Sequence, residues 1–121
     1  MTKEEKFGAY LRQLRNERGL SLRKAALLMG IGHMRLDEIE KGKSRSTGNA
    51  THPKRELVVA IADAYDVPRD ALLEMAGYAR EHPELTGDEQ LLFTTIRRLD
   101  DHHRDLAVQI VALLDRAGRK R

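Results

Sequence analysis

The run Gly42-Lys43-Ser44 has the composition of a phosphate-binding loop, in which backbone amides and a lysine hold a nucleotide's phosphates. Such a loop needs a further glycine five positions before the Gly-Lys-Ser run, but Asp37 occupies that position. The sequence before it also offers no strand from which the loop could begin. The run is therefore not a nucleotide-binding loop.

Patterns typical of catalytic and metal sites are missing from the rest of the chain. The 121 residues contain no cysteine, which removes disulfides, thiolate metal sites and cysteine nucleophiles. The five histidines form no His-x-x-x-His pair, and the adjacent His102 and His103 point about 100° apart on a helix. Asp100 and Asp101 are better explained as a helix cap than as an acid–base pair. We expect no enzymatic activity, no metal and no cofactor.

A basic segment suggests a different chemistry. Residues 41–55 contain five cations and no acidic residue. Residues 1–80 have 15 Lys and Arg against 11 Asp and Glu, whereas residues 81–121 have 7 against 8. A local basic patch on a nearly neutral chain indicates a polyanionic partner that is contacted at one place. A solvated basic loop explains the same composition equally well.

The elements that position these residues are helices, because apolar residues recur with helical spacing and no convincing strand is apparent. Ser21 is a good N-cap for a helix that stops at Gly30, and the next helix runs from about His33 to Lys41 and closes at Gly42. Similar signals predict one helix ending at Arg18-Gly19 and others beginning near Pro53, Pro68, Thr86 and Asp100 or Asp101. The predicted fold is all-α, with five short helices and a two-helix tail.

The second and third helices form a compact corner. Ala25 and Ala26 are small enough for a close crossing, while Leu36 and Ile39 anchor the third helix from its inner side. Its opposite face holds Met34, Asp37, Glu38 and Lys41. A helix supported in this way can enter the major groove of DNA with its N-terminus first.

A set of motifs spans roughly residues 5–78: Arg12-Gln13-Leu14-Arg15-Asn16-Glu17-Arg18-Gly19-Leu20-Ser21, Ala26, Gly30-Ile31, Leu36, Ile39-Glu40-Lys41-Gly42, and the later 62–73 and 76–78 segments. In these residues the sequence resembles the phage-repressor (XRE, lambda-repressor-like, Cro/cI-type) helix-turn-helix family. The resemblance implies a five-helix DNA-binding domain, base reading by His33, Met34 and Glu38, and a structural ion pair between Arg15 and Glu40. It also implies backbone contacts by Ser21, Leu22, Arg23, Arg35, Lys41, Lys43 and Arg45.

Two features depart from the family pattern. Gly32 stands where Ser or Thr is common, which weakens the N-cap of the third helix. Asp37 and Glu38 are acidic on the face that would meet DNA. Glu38 can accept a hydrogen bond from cytosine N4 and Met34 can pack on a thymine methyl, or the two acids can simply pair with Arg35, Lys41 or the basic loop.

The loop of residues 43–51 is longer than the family pattern suggests. Its small polar residues predict mobility, with Lys43 and Arg45 able to reach phosphates or a minor groove. An ordinary disordered insertion accounts for the same composition.

The predicted organisation is a DNA-binding domain at residues 1–78, a linker at 79–85 and a helical tail at 86–121. Because one recognition helix contacts few base pairs, relatives dimerise and place two helices in grooves about 34 Å apart. A broad apolar stripe in the tail would form the dimer interface or else cover the domain's own core; it consists of Leu106, Ile110, Val111, Leu113 and Leu114.

The sequence thus predicts a transcriptional regulator that binds double-stranded DNA sequence-specifically, as a homodimeric repressor on a palindromic operator. Two alternatives stay open: an antitoxin-type autorepressor whose tail binds a toxin, and a protein-interaction adaptor that has lost DNA binding. Regulation would come from a partner protein, proteolysis or a small ligand. With its longest apolar run only six residues long, at residues 57–62, and no secretion signal, the chain is expected to be cytoplasmic and without membrane contact.

Overall fold

The described residues of a computed structural model, 1–119, form seven α-helices and contain no β-strand, only an isolated bridge between Lys43 and Ala50. The all-α prediction is confirmed. Lys120 and Arg121, the end of the predicted tail, lie outside the described residues. The helices are α1 (Lys3–Glu17), α2 (Leu22–Met29), α3 (His33–Lys41), α4 (Arg55–Ala64), α5 (Arg69–Met75), α6 (Gly87–Arg97) and α7 (Asp101–Arg119).

Local side-chain chemistry explains where the helices begin and end. Ser21 caps α2 by accepting the amide of Lys24 at 3.1 Å, and Thr86 and Glu89 form the capping box predicted for α6. Gly30 and Gly42 end α2 and α3 in the left-handed conformation, at φ of 75° and 77°. Pro53 precedes the N-cap of α4 instead of opening the helix, so this helix starts slightly later than its proline suggests.

The hydrophobic core is formed by the first five helices, α1 to α5. The buried residues are almost all aliphatic, and α1 packs on α3, α2 on α3 and α4, and α4 on α5. The core consists of Phe7, Leu11, Leu14, Ala25, Ala26, Met29, Leu36, Ile39, Val58, Ile61, Ala62, Tyr65, Leu72 and Leu73. Burial raises the pKa of the Tyr65 hydroxyl to about 12.

A glycine lets α1 approach the end of α3 very closely. A Cβ atom on Gly8 would lie 2.3 Å from the Glu40 carbonyl oxygen and 2.4 Å from that of Ile39. Both contacts are with backbone, which cannot swing aside as a side chain can. Position 8 therefore requires glycine for packing, although it lies within a helix.

The segment after α5 is anchored to the first five helices. The Tyr78 hydroxyl donates to the Pro53 carbonyl at 2.6 Å. The buried Asp70 carboxylate accepts the amides of Glu81, at 2.5 Å, and His82, at 2.9 Å. These contacts fix the path of the predicted linker over α5.

The two tail helices are joined by a short turn, and most of their apolar residues are exposed. Asp100 caps α7 by accepting the amide of His103 at 2.8 Å, and Arg104 donates to the carbonyls of Arg97 and Leu99 at 3.2 and 3.0 Å. No described residue of α7 is buried. The alternative that the tail covers the domain's own core therefore does not fit the structure.

None of the helices in residues 1–119 combines the length and apolar character needed to cross a membrane.

Candidate nucleic-acid interface

The α2–turn–α3 corner presents one face of α3 to solvent. Ala25 and Ala26 are buried where α2 meets its neighbours, and the Ile31 amide donates to the Ala26 carbonyl at 3.0 Å to close the turn. Leu36 and Ile39 are fully buried on the inner side of α3. The helix is thus held along one side while its other side is available to a partner.

The N-terminal end of α3 carries the residues expected to read bases. Met34 is 52% exposed, and His33 and Arg35 are half-buried beside it. Gly32, as the N-cap, supplies no side-chain acceptor to the first turn. This end of α3 therefore offers an apolar contact and unsatisfied backbone amides together.

The start of α2 provides a second potential contact with a phosphate backbone. Arg23 is exposed, whereas Leu22 packs partly against the core. Because Ser21 already accepts the Lys24 amide, the remaining amides of the first turn are the groups that can face an anion. Leu22 can contribute its backbone there, but not its side chain.

Arg15 and Glu40 form an ion pair between α1 and α3. Arg15 Nε donates to Glu40 Oε2 at 2.8 Å, and a second guanidinium nitrogen donates to Glu40 Oε1 at 3.1 Å. A third donates to the Leu20 carbonyl at 3.1 Å, and Glu40 is only 8% exposed. The hydrogen bonds to Glu40 raise the pKa of Arg15 above its usual range. Glu40 therefore braces α3 from inside and does not face DNA.

The other two acids of α3 contact the basic loop. Asp37 Oδ2 lies 3.0 Å from Lys41 Nζ and also accepts a hydrogen bond from the Arg45 guanidinium. Glu38 Oε2 accepts the Arg45 amide at 2.7 Å. Hydrogen bonds from Arg45, which has the larger effect, and from Lys41 lower the pKa of Asp37 below its usual range. Of the interpretations open from sequence, pairing with the basic loop is the one seen here.

The loop of residues 43–51, for which the composition predicts mobility, forms a hydrogen-bonded turn in the structure. Its hydrogen bonds run from the Ser44 amide to the Asn49 carbonyl at 2.8 Å and from the Gly48 amide to the Ser44 carbonyl at 2.9 Å. The Thr51 amide donates to the Gly42 carbonyl at 3.1 Å, which closes the base of the loop. The long insertion is thus a compact turn that returns to the end of α3.

The structure brings most of the predicted contact cations to the surface around α3. Lys41, Lys43 and Arg45 are exposed, but Arg55, farther along the basic segment, is half-buried and donates to the Ala79 carbonyl at 3.4 Å. Residues 1–119 hold no cluster of acids and histidines that is suited to a metal ion.

Sequence reasoning missed two structural roles: the close contact at Gly8 and the anchoring of residues 81–82 by Asp70. The pairing of Asp37 was among the interpretations open from sequence, and Asp37 stands four residues before Lys41, the spacing of an ion pair on one helix face. Neither Gly8 nor Asp70 has such a local signal.

The all-α fold and the exposed α3 corner define a protein of the helix-turn-helix class. A family model described as a helix-turn-helix domain matches residues 6–75, and the chain belongs to this family. This confirms the resemblance seen in the sequence. Members of this regulator class are not enzymes, which agrees with the expectation that this chain is not one.

Two curated proteins of Bacillus subtilis (strain 168) are similar to the chain. It is 34% identical over 77 residues to the HTH-type transcriptional repressor RghR, covering 64% of this chain and 53% of that protein. It is 35% identical over 78 residues to the uncharacterized HTH-type transcriptional regulator RghRB, covering 64% of this chain and 52% of that protein. The chain thus spans about half the length of the curated relatives it matches.

Proposed function

We propose that the chain is a sequence-specific transcriptional regulator that binds double-stranded DNA. The observation that carries this proposal is the exposed N-terminal end of α3, held at a helix-turn-helix corner on a helix whose second half carries the basic 43–51 loop. The names of the two relatives support it, since one is a transcriptional repressor and the other a transcriptional regulator. We further propose that the regulator represses transcription.

In this proposal α3 lies in the major groove, with His33 and Met34 closest to base edges. Met34 would pack on a thymine methyl group, and Glu38 stands farther along the same face, where it can accept a hydrogen bond from cytosine. The phosphate backbone would be contacted on both sides of the groove by the amides of Ser21 and Leu22 and by Arg23, Arg35, Lys41, Lys43 and Arg45.

We propose that residues 86–121 make the regulator a homodimer that binds a palindromic operator, with residues 79–85 linking the tail to the DNA-binding domain of residues 1–78. The tail residues of the predicted stripe are between 41% and 67% exposed: Leu106, Ile110, Val111, Leu113 and Leu114. Apolar side chains at this density on a helix are typical of a surface that packs against another chain. A second copy satisfies this need and supplies the second recognition helix.

Selection of bound sequences from a random pool of duplex DNA tests the function directly. We expect the selected sequences to converge on an inverted repeat whose half-sites are about one or a few helical turns apart. Binding to bulk duplex should be measurable at about 20 mM salt and fall steeply as salt rises. Absence of any duplex binding at that salt would instead favour the protein-interaction adaptor.

The antitoxin alternative makes a different prediction for the same protein. A tail that is built for a toxin would leave the purified chain monomeric, with operator binding that strengthens when the partner is added. Sedimentation of the full chain between micromolar and millimolar concentration distinguishes the two cases.

A further inference from the structure

Two carboxylates lie on the face of α3 that would meet a polyanion. Carboxylates at such positions repel phosphate, and each one is expected to weaken binding to every DNA sequence. Asp37 and Glu38 are nevertheless adjacent there, next to the cations on which backbone binding would depend. Their presence needs an explanation other than base reading alone.

Both carboxylates contact the same loop residue, Arg45, one at its backbone amide and the other at its guanidinium group. Glu38 Oε2 accepts the backbone amide of Arg45 at 2.7 Å, while Asp37 accepts a hydrogen bond from the Arg45 guanidinium. Lys41 also lies 3.0 Å from Asp37, so the Asp37 carboxylate is shared by two cations. Main chain and side chain of Arg45 are thereby fixed relative to α3.

The same loop is closed independently at its base. Lys43 pairs with Ala50 in an isolated bridge, and the Thr51 amide donates to the Gly42 carbonyl at 3.1 Å. The two acids add anchoring on the side that faces α3, where Lys43 and Arg45 are exposed. Without them, residues 44–49 would be oriented only by the turn hydrogen bonds within the loop and by the contacts at its base, where Thr51 is buried.

We infer that Asp37 and Glu38 are positioning residues, which hold the 43–51 loop against α3 so that Lys43 and Arg45 are ordered for contact with the DNA backbone. This inference rests on the proposed DNA binding and assigns it a further part of the surface. The ordering cost of a long side chain and its loop is met during folding, so less of it opposes DNA binding. Lys41 and Arg45 pair with Asp37, which reduces the repulsion that its carboxylate would exert on a phosphate.

A substitution that removes one of these charges distinguishes positioning from repulsion, because positioning predicts weaker DNA binding and repulsion predicts tighter DNA binding. We expect Asp37→Asn to weaken binding to the selected operator about three- to tenfold, the cost of ordering one long side chain and its loop. The slope of log affinity against log salt should become shallower by up to about one, because one phosphate contact is lost. Glu38→Gln should act in the same direction, since an amide oxygen accepts the Arg45 amide more weakly than a carboxylate does.

Three controls separate this role from a general effect on charge or folding. Asp37→Glu, which keeps the charge, should restore most of the affinity. In an Arg45→Gln background, Asp37→Asn should cause no further loss, because the side chain that it positions is gone. Glu74→Gln removes a carboxylate from the exposed side of α5 and should leave binding within about twofold. Far-ultraviolet circular dichroism should show the same helix content for all variants.

Hydrogen exchange tests the anchoring without DNA. The amides of Ser44, Arg45 and Gly48 should exchange faster in Asp37→Asn and Glu38→Gln than in the parent chain. Unchanged exchange, or tighter binding of both variants to all sequences, would overturn the positioning role while leaving the proposed function standing. Failure of the parent chain to bind any duplex would overturn the proposed function and this role with it.

Discussion

Replacement of Glu40 by Gln should destabilise the fold, because the guanidinium group of Arg15 would stay mostly buried without its carboxylate partner. The pair has two hydrogen bonds, of 2.8 and 3.1 Å, and its side chains are only 13% and 4% exposed for Arg15 and Glu40. Removing one partner of a fully buried pair costs about 3–5 kcal/mol, mostly because the other charge stays desolvated. Arg15 keeps its bond to the Leu20 carbonyl and some access to water, and Gln can still accept one bond. We therefore expect a loss of ~2–3 kcal/mol in the free energy of unfolding.

The loss should be read from urea or thermal unfolding followed by circular dichroism at 222 nm. For a domain of this size, ~2–3 kcal/mol corresponds to a fall in Tm of about 10–20 °C. The double variant Arg15→Met, Glu40→Leu gives the matched comparison, because it removes both charges and keeps apolar volume. We expect it to be less destabilised than Glu40→Gln. Together with the single variants Arg15→Met and Glu40→Leu, it should give a coupling of at least ~1 kcal/mol between the two positions.

Two results would refute the reasoning about this pair. A loss below ~0.5 kcal/mol for Glu40→Gln would show that water replaces the carboxylate at little cost. Additive effects of the two substitutions would show that the contact between α1 and α3 is maintained by apolar packing alone. Either result would remove the argument that Glu40 belongs to the support of α3 and not to its DNA-facing side.

Three further predictions address packing, assembly and base reading. Gly8→Ala should lower the free energy of unfolding by ~1–3 kcal/mol, because its Cβ would lie 2.3 Å from a backbone oxygen. A change within ±0.3 kcal/mol in urea denaturation would contradict the close approach of α1 and α3. Deletion of residues 86–121 should give a monomer with much weaker operator binding, and light scattering that still shows a dimer would refute the assignment of the tail. Met34→Ala should weaken binding by ~1 kcal/mol at sites with a thymine in the contacted position and should change binding to other sites little. A competition assay that shows an equal loss of affinity on all sequences would exclude base reading by Met34.

The helices were predictable from sequence because their signals are local. Ser21 before an apolar stripe, Gly30 and Gly42 after one, and Thr86 with Glu89 three residues later each act within a single turn of chain. Burial of Leu36 and Ile39 follows from the same spacing. Such features do not depend on the position of distant parts of the chain, so they can be predicted from the local sequence.

The contacts that were missed depend on how distant segments meet. Nothing around Gly8 in sequence shows that the last carbonyls of α3 pass over it at a distance too short for a Cβ atom. The composition of residues 44–49 does not show which of the possible partners Asp37 and Glu38 contact, because the position of Arg45 depends on the path of the whole loop. The exposure of the tail stripe was likewise open from sequence, since an apolar helix face reads the same whether it covers its own domain or another chain.

The second half of α3 has three structural attachments, and these divide the helix by function. Glu40 ties it to α1, and Asp37 and Glu38 tie it to the loop. At Gly42 a Cβ would lie 2.9 Å from the backbone of Glu5, so the helix also ends directly against α1. Substitution of Asp37, Glu38, Glu40 or Gly42 is therefore expected to change stability or the position of the loop. Met34 takes part in none of these contacts, and its exposed side chain can change with little effect on the fold. In the proposed function, substitutions at positions 33–34 would alter the DNA sequence that is selected, while the attachments of the second half of α3 keep this helix and its basic loop in a fixed relation.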